Sequence, residues 1–282
     1  MKGAGRRGFS LDSPAMRIVA PAAFAVVVLA LWQLYAVVSD VPESSLPAPT
    51  EIARAGLEHR DLLIDNTWVT VEEILIGFAL AIALGVVLAI LIRSSRTIER
   101  AVYPWLVVSQ MVPVPAVAPI FVIWTGFDLR PKVMVVALVA FFPIAVNSID
   151  GLRAADPQLL RLMRTLRASR WQQFRYARLP AALPFLFSGL KVAAALAVIG
   201  AVFGEWVGSS EGLGHLILVL NNATETATMF ATIFVLSVIG IALFGLVILL
   251  ERRLLPWYYE GRGANRGVSG PAADAVEIGA RL

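Results

Sequence analysis

The stretch RTLRASRWQQFRYARLP, Arg164–Pro180, stands in the middle of a very apolar chain, and five of its seventeen residues are arginine. The chain has 282 residues, of which 58% are hydrophobic and 16% charged, and its mean hydropathy is +0.76. A soluble globular chain is about 45–50% apolar and about 25% charged. The composition therefore excludes an ordinary soluble domain and predicts a polytopic membrane protein, in which this stretch is an arginine-rich loop.

Apolar runs on both sides of the loop predict six transmembrane helices, because roughly 20 residues cross a hydrocarbon core of about 30 Å. The runs are Ile18–Val38, Ile74–Ile92 with a helical start near Asn66, Ala101–Phe127, Val133–Ile149, Pro184–Val207 and Ala227–Leu250. The first run is too long for the apolar region of a signal peptide, so we interpret it as a retained span. The predicted fold class is all-α.

The distribution of positive charge predicts the orientation of these spans. Of the 24 Lys and Arg residues, nineteen lie in the two tails and in the loops after spans two and four. Cytoplasmic loops carry the Lys/Arg excess, so both termini are expected in the cytoplasm. The predicted organisation is a cytoplasmic tail over residues 1–17, a membrane domain over 18–257, and a Gly/Ala-rich disordered tail over 258–282.

Capping signals divide the arginine-rich loop into two short helices over residues 156–180. Asp156-Pro157 is a helix start, with an N-cap acid before a proline in the first turn. Ser169 and Gln172 fit the capping box of a second helix, and Leu179-Pro180 is predicted to end it. Charge alone is equally compatible with binding anionic lipid or a protein, whereas the capped order favours a surface shaped for a protein.

The loop resembles the cytoplasmic signature of ABC importer permeases, above all the nitrate/sulfonate/taurine-type branch, and the resemblance extends from about Leu46 to Trp257. That signature is Glu-Ala-Ala, three residues, Gly, nine residues, a hydrophobic residue, any residue and Leu-Pro. Matching positions are Thr165, Leu166, Ala168, Ser169, Arg170, Trp171, Gln172, Phe174, Leu179 and Pro180. Arg161-Leu162-Met163 replaces Glu-Ala-Ala, and Arg167 replaces the glycine. An arginine costs about 1 kcal/mol in a left-handed turn, so either this turn is not left-handed or the docking face differs.

The resemblance implies a type I importer permease in the plasma or inner membrane of a prokaryote. It implies that a separate ATPase docks on Arg164, Thr165, Leu166, Arg167, Ala168, Ser169, Arg170 and Trp171. It further implies a second permease copy and an extracytoplasmic solute-binding protein as partners, and no nucleic acid. The chain has no phosphate-binding loop of the G-x-x-x-x-G-K-[ST] type. No cofactor is therefore expected on this chain, and ATP with Mg is expected to be used by the ATPase.

Polar residues inside the predicted spans are candidates for the translocation path, because such groups are expensive in a membrane. Glu205 is either a pathway or gate acid or an interfacial glutamate near headgroup depth. Gln110, just before two prolines, and Asn147 are the other candidates. Glu72 and Glu73 are expected at the outer interface. Glycines at 200, 204 and 208 form one stripe that predicts close helix packing.

Two other classes of protein are alternatives to the permease. An intramembrane enzyme needs nucleophiles or metal ligands, but the chain has no cysteine and its two histidines, His59 and His215, lie outside the spans. No catalytic or metal site is therefore predicted. A secondary transporter predicts inverted repeats, which the sequence does not show.

The segments around Gln110 and Glu205 resemble permeases for aromatic heterocycles, such as thiamine-pyrimidine precursors or riboflavin. Nitrate, taurine and alkanesulfonates are the alternative cargo.

Overall fold

The computed structural model describes residues 16–39, 42 and 44–258. Every secondary-structure element in that part of the chain is helical. The α-helices are α1 Met16–Val38, α2 Pro49–Glu58, α3 Arg60–Ser94, α4 Arg96–Ser109, α5 Val114–Thr125, α6 Leu129–Arg153, α7 Pro157–Thr165, α8 Arg170–Gln173, α9 Leu179–Gly208, α10 Leu213–Asn222 and α11 Thr226–Leu254, with a π-helical turn at Phe174–Arg178. The all-α prediction is confirmed. Of the predicted tails, residues 1–15 and 259–282 lie outside the described residues.

Five helices are long and apolar enough to cross a membrane, and a bent pair raises the number to six if it counts as one span. The five are α1, α3, α6, the continuous segment Arg170–Gly208 that contains α8 and α9, and α11. Each contains one of the predicted runs and extends a few residues beyond it. The largest extension is at α3, which already begins at Arg60 and so adds nearly four turns before the charge-free part of the span.

The third predicted span, Ala101–Phe127, is not one continuous helix. Its residues form α4 and α5, which meet at an angle of 100°. Pro113 and Pro115 lie at this break, and each lacks the backbone N–H that a continuing helix needs. A proline also disfavours the helical conformation of the residue before it. The run is therefore a broken span.

The prediction that Leu179-Pro180 ends the second loop helix is wrong. Helical structure continues without interruption from Arg170 to Gly208. In the π-helical turn the Leu179 N–H donates to the Phe174 carbonyl, five residues back. Pro180, which has no backbone N–H, follows directly after this turn. The arginine-rich loop is thus joined rigidly to a transmembrane helix.

Helix α6 lies at the centre of the bundle, between α3 and α9, and small residues allow the close approach. A Cβ added to Gly200 would stand 3.0 Å from the Val136 Cα, and one on Gly204 would stand 3.1 Å from the Lys132 Cα. The predicted glycine stripe on α9 therefore does permit close packing, against α6. Gly77 on α3 also packs on Val136. The main apolar core lies where these three helices and α11 meet.

The end of the bundle opposite to the arginine-rich loop is closed by the short helix α10. It packs against the start of α3, the end of α9 and the start of α11. Helix α1 lies outside this bundle and is mostly exposed. Its Trp32 ring faces Phe230 of α11 at 6.1 Å between centroids, and its Gln33 side chain bonds Thr50 of α2.

Candidate functional site

The first helix of the arginine-rich loop, α7, begins where the sequence predicts it. Asp156 caps its N-terminus, with the carboxylate Oδ1 accepting the Gln158 amide N–H at 2.7 Å. Pro157 follows in the first turn. A cap of this kind satisfies a backbone donor that has no partner within the helix. The start of α7 is therefore held in place directly after α6.

The turn between the two loop helices is left-handed, and Arg167 is the residue that adopts this conformation, with φ of 56°. The Ala168 amide donates to the Met163 carbonyl at 2.9 Å, and the Arg167 amide donates to the Arg164 carbonyl at 2.9 Å. These two bonds define a Schellman motif, which usually has glycine at this place. The possibility that this turn is not left-handed is thus excluded. Arg167 adopts the backbone conformation that usually requires glycine, at a conformational cost of about 1 kcal/mol.

The second loop helix starts with the predicted capping box. The Ser169 hydroxyl accepts the Gln172 amide at 3.2 Å, and the Gln172 side chain accepts the Ser169 amide at 2.7 Å. One turn later, the Trp171 and Phe174 rings stack with centroids 5.7 Å apart. Because a Schellman motif ends α7 and a capping box begins α8, the turn has hydrogen-bonded geometry on both sides.

The eight residues predicted to contact an ATPase, Arg164 to Trp171, lie together on this turn, and all but Ala168 are exposed. Two of them are large and apolar: Leu166 is 73% and Trp171 is 68% exposed. Leu162 on α7 is exposed beside them. A rigid turn therefore presents a surface that combines arginine side chains with unburied apolar groups. Such a surface suits a protein partner with an apolar pocket and acidic surroundings.

Behind the helix pair lies a cavity of about 1270 Å³ between the ends of α3, α4 and α6. Its lining includes one acidic residue, Glu99, and six arginines: Arg93, Arg100, Arg153, Arg164, Arg170 and Arg178. The Glu99 carboxylate pairs with Arg93 and with Arg153, whose Nε lies 2.9 Å away. Two of the six arginines thus share one carboxylate, and this end of the bundle keeps an excess of positive charge. That field attracts acidic surfaces or anionic headgroups.

At the opposite end of the bundle, the structure reveals a buried ion pair that we did not predict from the sequence. The Lys132 Nζ of α6 lies 2.8 Å from the Glu73 Oε1 of α3, and both side chains are almost fully buried. The same ammonium group donates to the Ser209 Oγ at 2.9 Å. The prediction placed Glu73 at the outer interface without a partner, and the structure adds that its side chain is buried against α6. Because α3 starts so early, Glu73 faces α6 inside the bundle, while its neighbour Glu72 remains exposed.

Glu205 is fully buried and binds the start of α10. Its carboxylate accepts the Thr70 hydroxyl at 2.6 Å, together with the backbone amides of Gly214 and His215. Whether Glu205 is a pathway acid or an interfacial glutamate stays a prediction. An acid at a helix N-terminus satisfies unpaired amides and interacts favourably with the helix dipole. Thr70 also accepts the Leu213 amide at 2.9 Å, so α3, α9 and α10 are joined by one network.

Gly212 allows this network to form. It has φ of 103°, which disfavours any residue with a side chain. A Cβ at this position would overlap the Glu205 carboxylate. The Gly212 amide donates to the Asn66 Oδ1 at 2.7 Å. The connection from α9 to α10 is therefore tight, and its geometry depends on this glycine.

The three candidate path residues do not form one cluster. Asn147 is half-buried on α6, and its Nδ2 donates to the Pro143 carbonyl of its own helix at 2.8 Å. It lies fifteen residues beyond Lys132, or about 22 Å along the helix axis, so it is far from Glu205. Gln110 is exposed at the break between α4 and α5. That Gln110, Asn147 and Glu205 lie on a translocation path stays a prediction.

Sequence comparison places the chain among transport proteins. The family described as "Binding-protein-dependent transport system inner membrane component" matches residues 81–256. The formylaminopyrimidine transport permease protein ThiX of Halalkalibacterium halodurans is 40% identical over 84% of this chain and 95% of its own length. The riboflavin transport system permease protein RibX of Chloroflexus aurantiacus is 36% identical over 82% and 87%. The putative aliphatic sulfonates transport permease protein SsuC of Bacillus subtilis is 34% identical over 83% and 87%.

Solved structures agree on the fold. An amino acid ABC transporter chain superposes with a TM-score of 0.57 at 17% identity, covering 70% of this chain and 96% of its own. The inward-facing MetNI methionine ABC transporter gives a TM-score of 0.56 at 17% identity, covering 68% and 98%. The family match, the relatives and the shared fold lead to one conclusion. The chain belongs to the binding-protein-dependent transport system inner membrane components, the non-catalytic, multi-pass permease subunits of ABC transporters.

Proposed function

We propose that this permease forms the translocation path of an ATP-driven importer and receives the movement of a separate ATPase through the α7–α8 pair. The observation that carries the proposal is the exposure of Leu166 and Trp171 on a turn that is hydrogen-bonded on both sides. Helical structure continues from that turn into α9. A force applied to the turn is therefore transmitted directly to a membrane-spanning helix.

A loop that only binds anionic lipid is the competing explanation for the arginines. Lipid headgroups respond to the number of positive charges near the surface, about 1 kcal/mol for each, and not to the shape of the turn. Such a role leaves the Schellman motif, the capping box and the exposed apolar groups without a purpose. The structure therefore favours a protein on this surface, and the cytoplasm is the side on which we place it.

The family implies an ATPase and a solute-binding protein as partners. We extend this to a second copy of the chain, which completes the path. ATP and Mg act on the ATPase, and no cofactor is assigned to this chain. This division of roles agrees with the lack of a phosphate-binding loop in the sequence.

The proposed cargo is a small aromatic heterocycle, either a thiamine-pyrimidine precursor or riboflavin. Two of the relatives carry formylaminopyrimidine and riboflavin in their names. The relative named for aliphatic sulfonates is 34% identical, so sulfonates, taurine and nitrate are the second candidate class. Titration of the cognate solute-binding protein with a heterocycle and with a sulfonate decides between the classes. Binding of the sulfonate alone would overturn the heterocycle assignment.

The coupling role is tested by purifying the chain from its native membrane in mild detergent and identifying its partners by mass. Two variants separate the protein and lipid explanations. Leu166→Ser with Trp171→Ser keeps every arginine, and we expect it to lose the ATPase. Replacement of Arg164, Arg167 and Arg170 by lysine keeps the charge and both apolar groups, and we expect it to retain more ATPase than the first variant.

Wild-type recovery of the ATPase from both variants would support lipid binding, because each variant keeps every positive charge of the loop. A wild-type chain that emerges alone at every detergent strength would contradict the coupling proposal altogether, and the secondary transporter would then return as the alternative.

A further inference from the structure

The break between α4 and α5 leaves backbone acceptors without partners. The carbonyl oxygens of Gln110, Met111 and Val112 accept no hydrogen bond from any described residue of the chain. All six residues from Val108 to Pro113 are exposed. Pro115, whose position in a continuing helix would serve the Met111 carbonyl, has no N–H to donate, and the Ala116 amide donates to the Pro113 carbonyl instead of the Val112 carbonyl.

Counting residues along α4 puts these carbonyls near the middle of a membrane that the helix crosses. Helix α4 starts beside the arginine cluster, since Arg153 of α6 binds Glu99 of α4. Gln110 is ten residues beyond Arg100, or about 15 Å at 1.5 Å per residue. That distance is half of a hydrocarbon core of about 30 Å. Irregular backbone at this depth is not tolerated against lipid, and it occurs only where it is buried in protein or lines a water-filled cavity.

The break offers hydrogen-bond acceptors, its free carbonyl oxygens, in a segment without charged side chains. Residues 101–127 contain no Asp, Glu, Lys or Arg. Trp105, one turn before the end of α4, and Met111 are both highly exposed. Carbonyl oxygens carry partial negative charge and attract hydrogen-bond donors, whereas they repel sulfonate or nitrate. An indole face and a thioether suit a flat aromatic ring.

We propose that the α4–α5 break, Ser109–Pro113, lines the translocation path and offers its free carbonyls to the N–H groups of a neutral aromatic heterocycle. The proposal rests on the path-forming role given above, and it deepens that role by selecting between the two cargo classes. A path for sulfonate or nitrate would instead present cations or amide donors at this depth. In the proposed dimer, the second copy of the chain would bring the same carbonyls to the path and so double the number of hydrogen-bond acceptors.

The absence of cysteine from the chain permits a direct test. Met111→Cys, at a position that is 75% exposed, is treated in membrane vesicles of both orientations with charged, membrane-impermeant methanethiosulfonate reagents. The matched control is Ile241→Cys, 71% exposed on the unbroken helix α11. It lies eleven residues from Arg252, as Met111 lies eleven residues from Arg100, so the two positions are matched in their distance along the chain from an arginine.

The expected result is labelling of Cys at position 111 and no labelling at position 241. The rate of each reagent at position 111 is divided by its rate with a free thiol in solution. This ratio should be about tenfold higher for the cationic reagent than for the anionic one, which corresponds to about 1.4 kcal/mol. No labelling at position 111 would place the break against lipid or in a dry interface. Labelling by the anionic reagent that is as fast or faster would show that the carbonyls of the break do not act as acceptors in the path. Either result overturns the proposal. Should Met111→Cys fail to accumulate in the membrane, Val112→Cys serves as the second position.

Purification of the ATPase with the same cysteine variants keeps this test separate from the proposed function. If the ATPase is retained while position 111 stays unlabelled, the permease role stands and the assignment of the break fails. If the ATPase is absent but position 111 is labelled by the cationic reagent, the coupling proposal fails and the assignment of the break stands.

Discussion

Removal of the Lys132 ammonium is expected to cause a large loss of stability. In Lys132→Met, the Glu73 carboxylate loses a partner at 2.8 Å while it remains inside the bundle. Breaking a buried pair by removing one partner costs about 3–5 kcal/mol, because an uncompensated charge is left behind. We expect the free energy of unfolding to fall by that amount.

The chain offers a control two residues away. Arg130 pairs with Asp128 at 3.5 Å, and both side chains are mostly exposed. An exposed ion pair contributes about 0–1 kcal/mol, so Arg130→Met should change stability by no more than that. Denaturation of the purified protein by a titration with sodium dodecyl sulfate, followed by Trp fluorescence, measures both values.

A double variant then separates the ion pair from the packing of Lys132. With Lys132→Met and Glu73→Met together, both charges are replaced by apolar groups, which is often neutral or stabilising. We expect the double variant to regain most of the stability lost in the single one. The reasoning would be refuted if Lys132→Met were as stable as Arg130→Met, or if the double variant were no more stable than Lys132→Met.

Three further changes test the network at α10 and the turn of the arginine-rich loop. Glu205→Ala removes the acceptor of two α10 amides, so hydrogen exchange at residues 213–216 should accelerate by at least about tenfold; exposed Glu211→Ala is the control and should leave it unchanged. Gly212→Ala forces a side chain into a left-handed position against Glu205 and should sharply reduce folded protein after membrane extraction. Gly245→Ala, with open space around its Cβ position, should have no effect in the same assay. Arg167→Val should lose co-purifying ATPase, because a β-branched residue is strongly disfavoured at φ of 56°, whereas Arg167→Gly should retain it. Equal ATPase recovery from these two variants would show that the left-handed turn is not needed.

The helix pair of the arginine-rich loop was predictable because its signals are local. Asp156-Pro157 and Ser169 with Gln172 are each contained within a few residues, and both caps form as expected. The conformation of Arg167 was not predictable, because arginine gives no indication of a left-handed turn. There the two hydrogen bonds of the Schellman motif outweigh the conformational cost of the side chain.

The buried network was missed because its partners are distant in the sequence. Thr70 and Glu205 are 135 residues apart, and no local pattern reports that α3 and α9 meet. Lys132 lies just after a capping aspartate, Asp128, where a surface position is the ordinary expectation. The prolines of the third run did signal a disturbance, but local sequence does not distinguish a kink from a break of 100°.

The measurement that tests the coupling account most directly is photo-crosslinking from the helix pair in the native membrane. A photoreactive amino acid replaces Leu166 in one variant and Leu34, on the exposed surface of α1, in another. Irradiation followed by mass identification of the adducts should yield an ATPase with a phosphate-binding loop from position 166 and none from position 34. Adducts from position 166 that contain only lipid would contradict the claim that this turn is where the motor binds the permease.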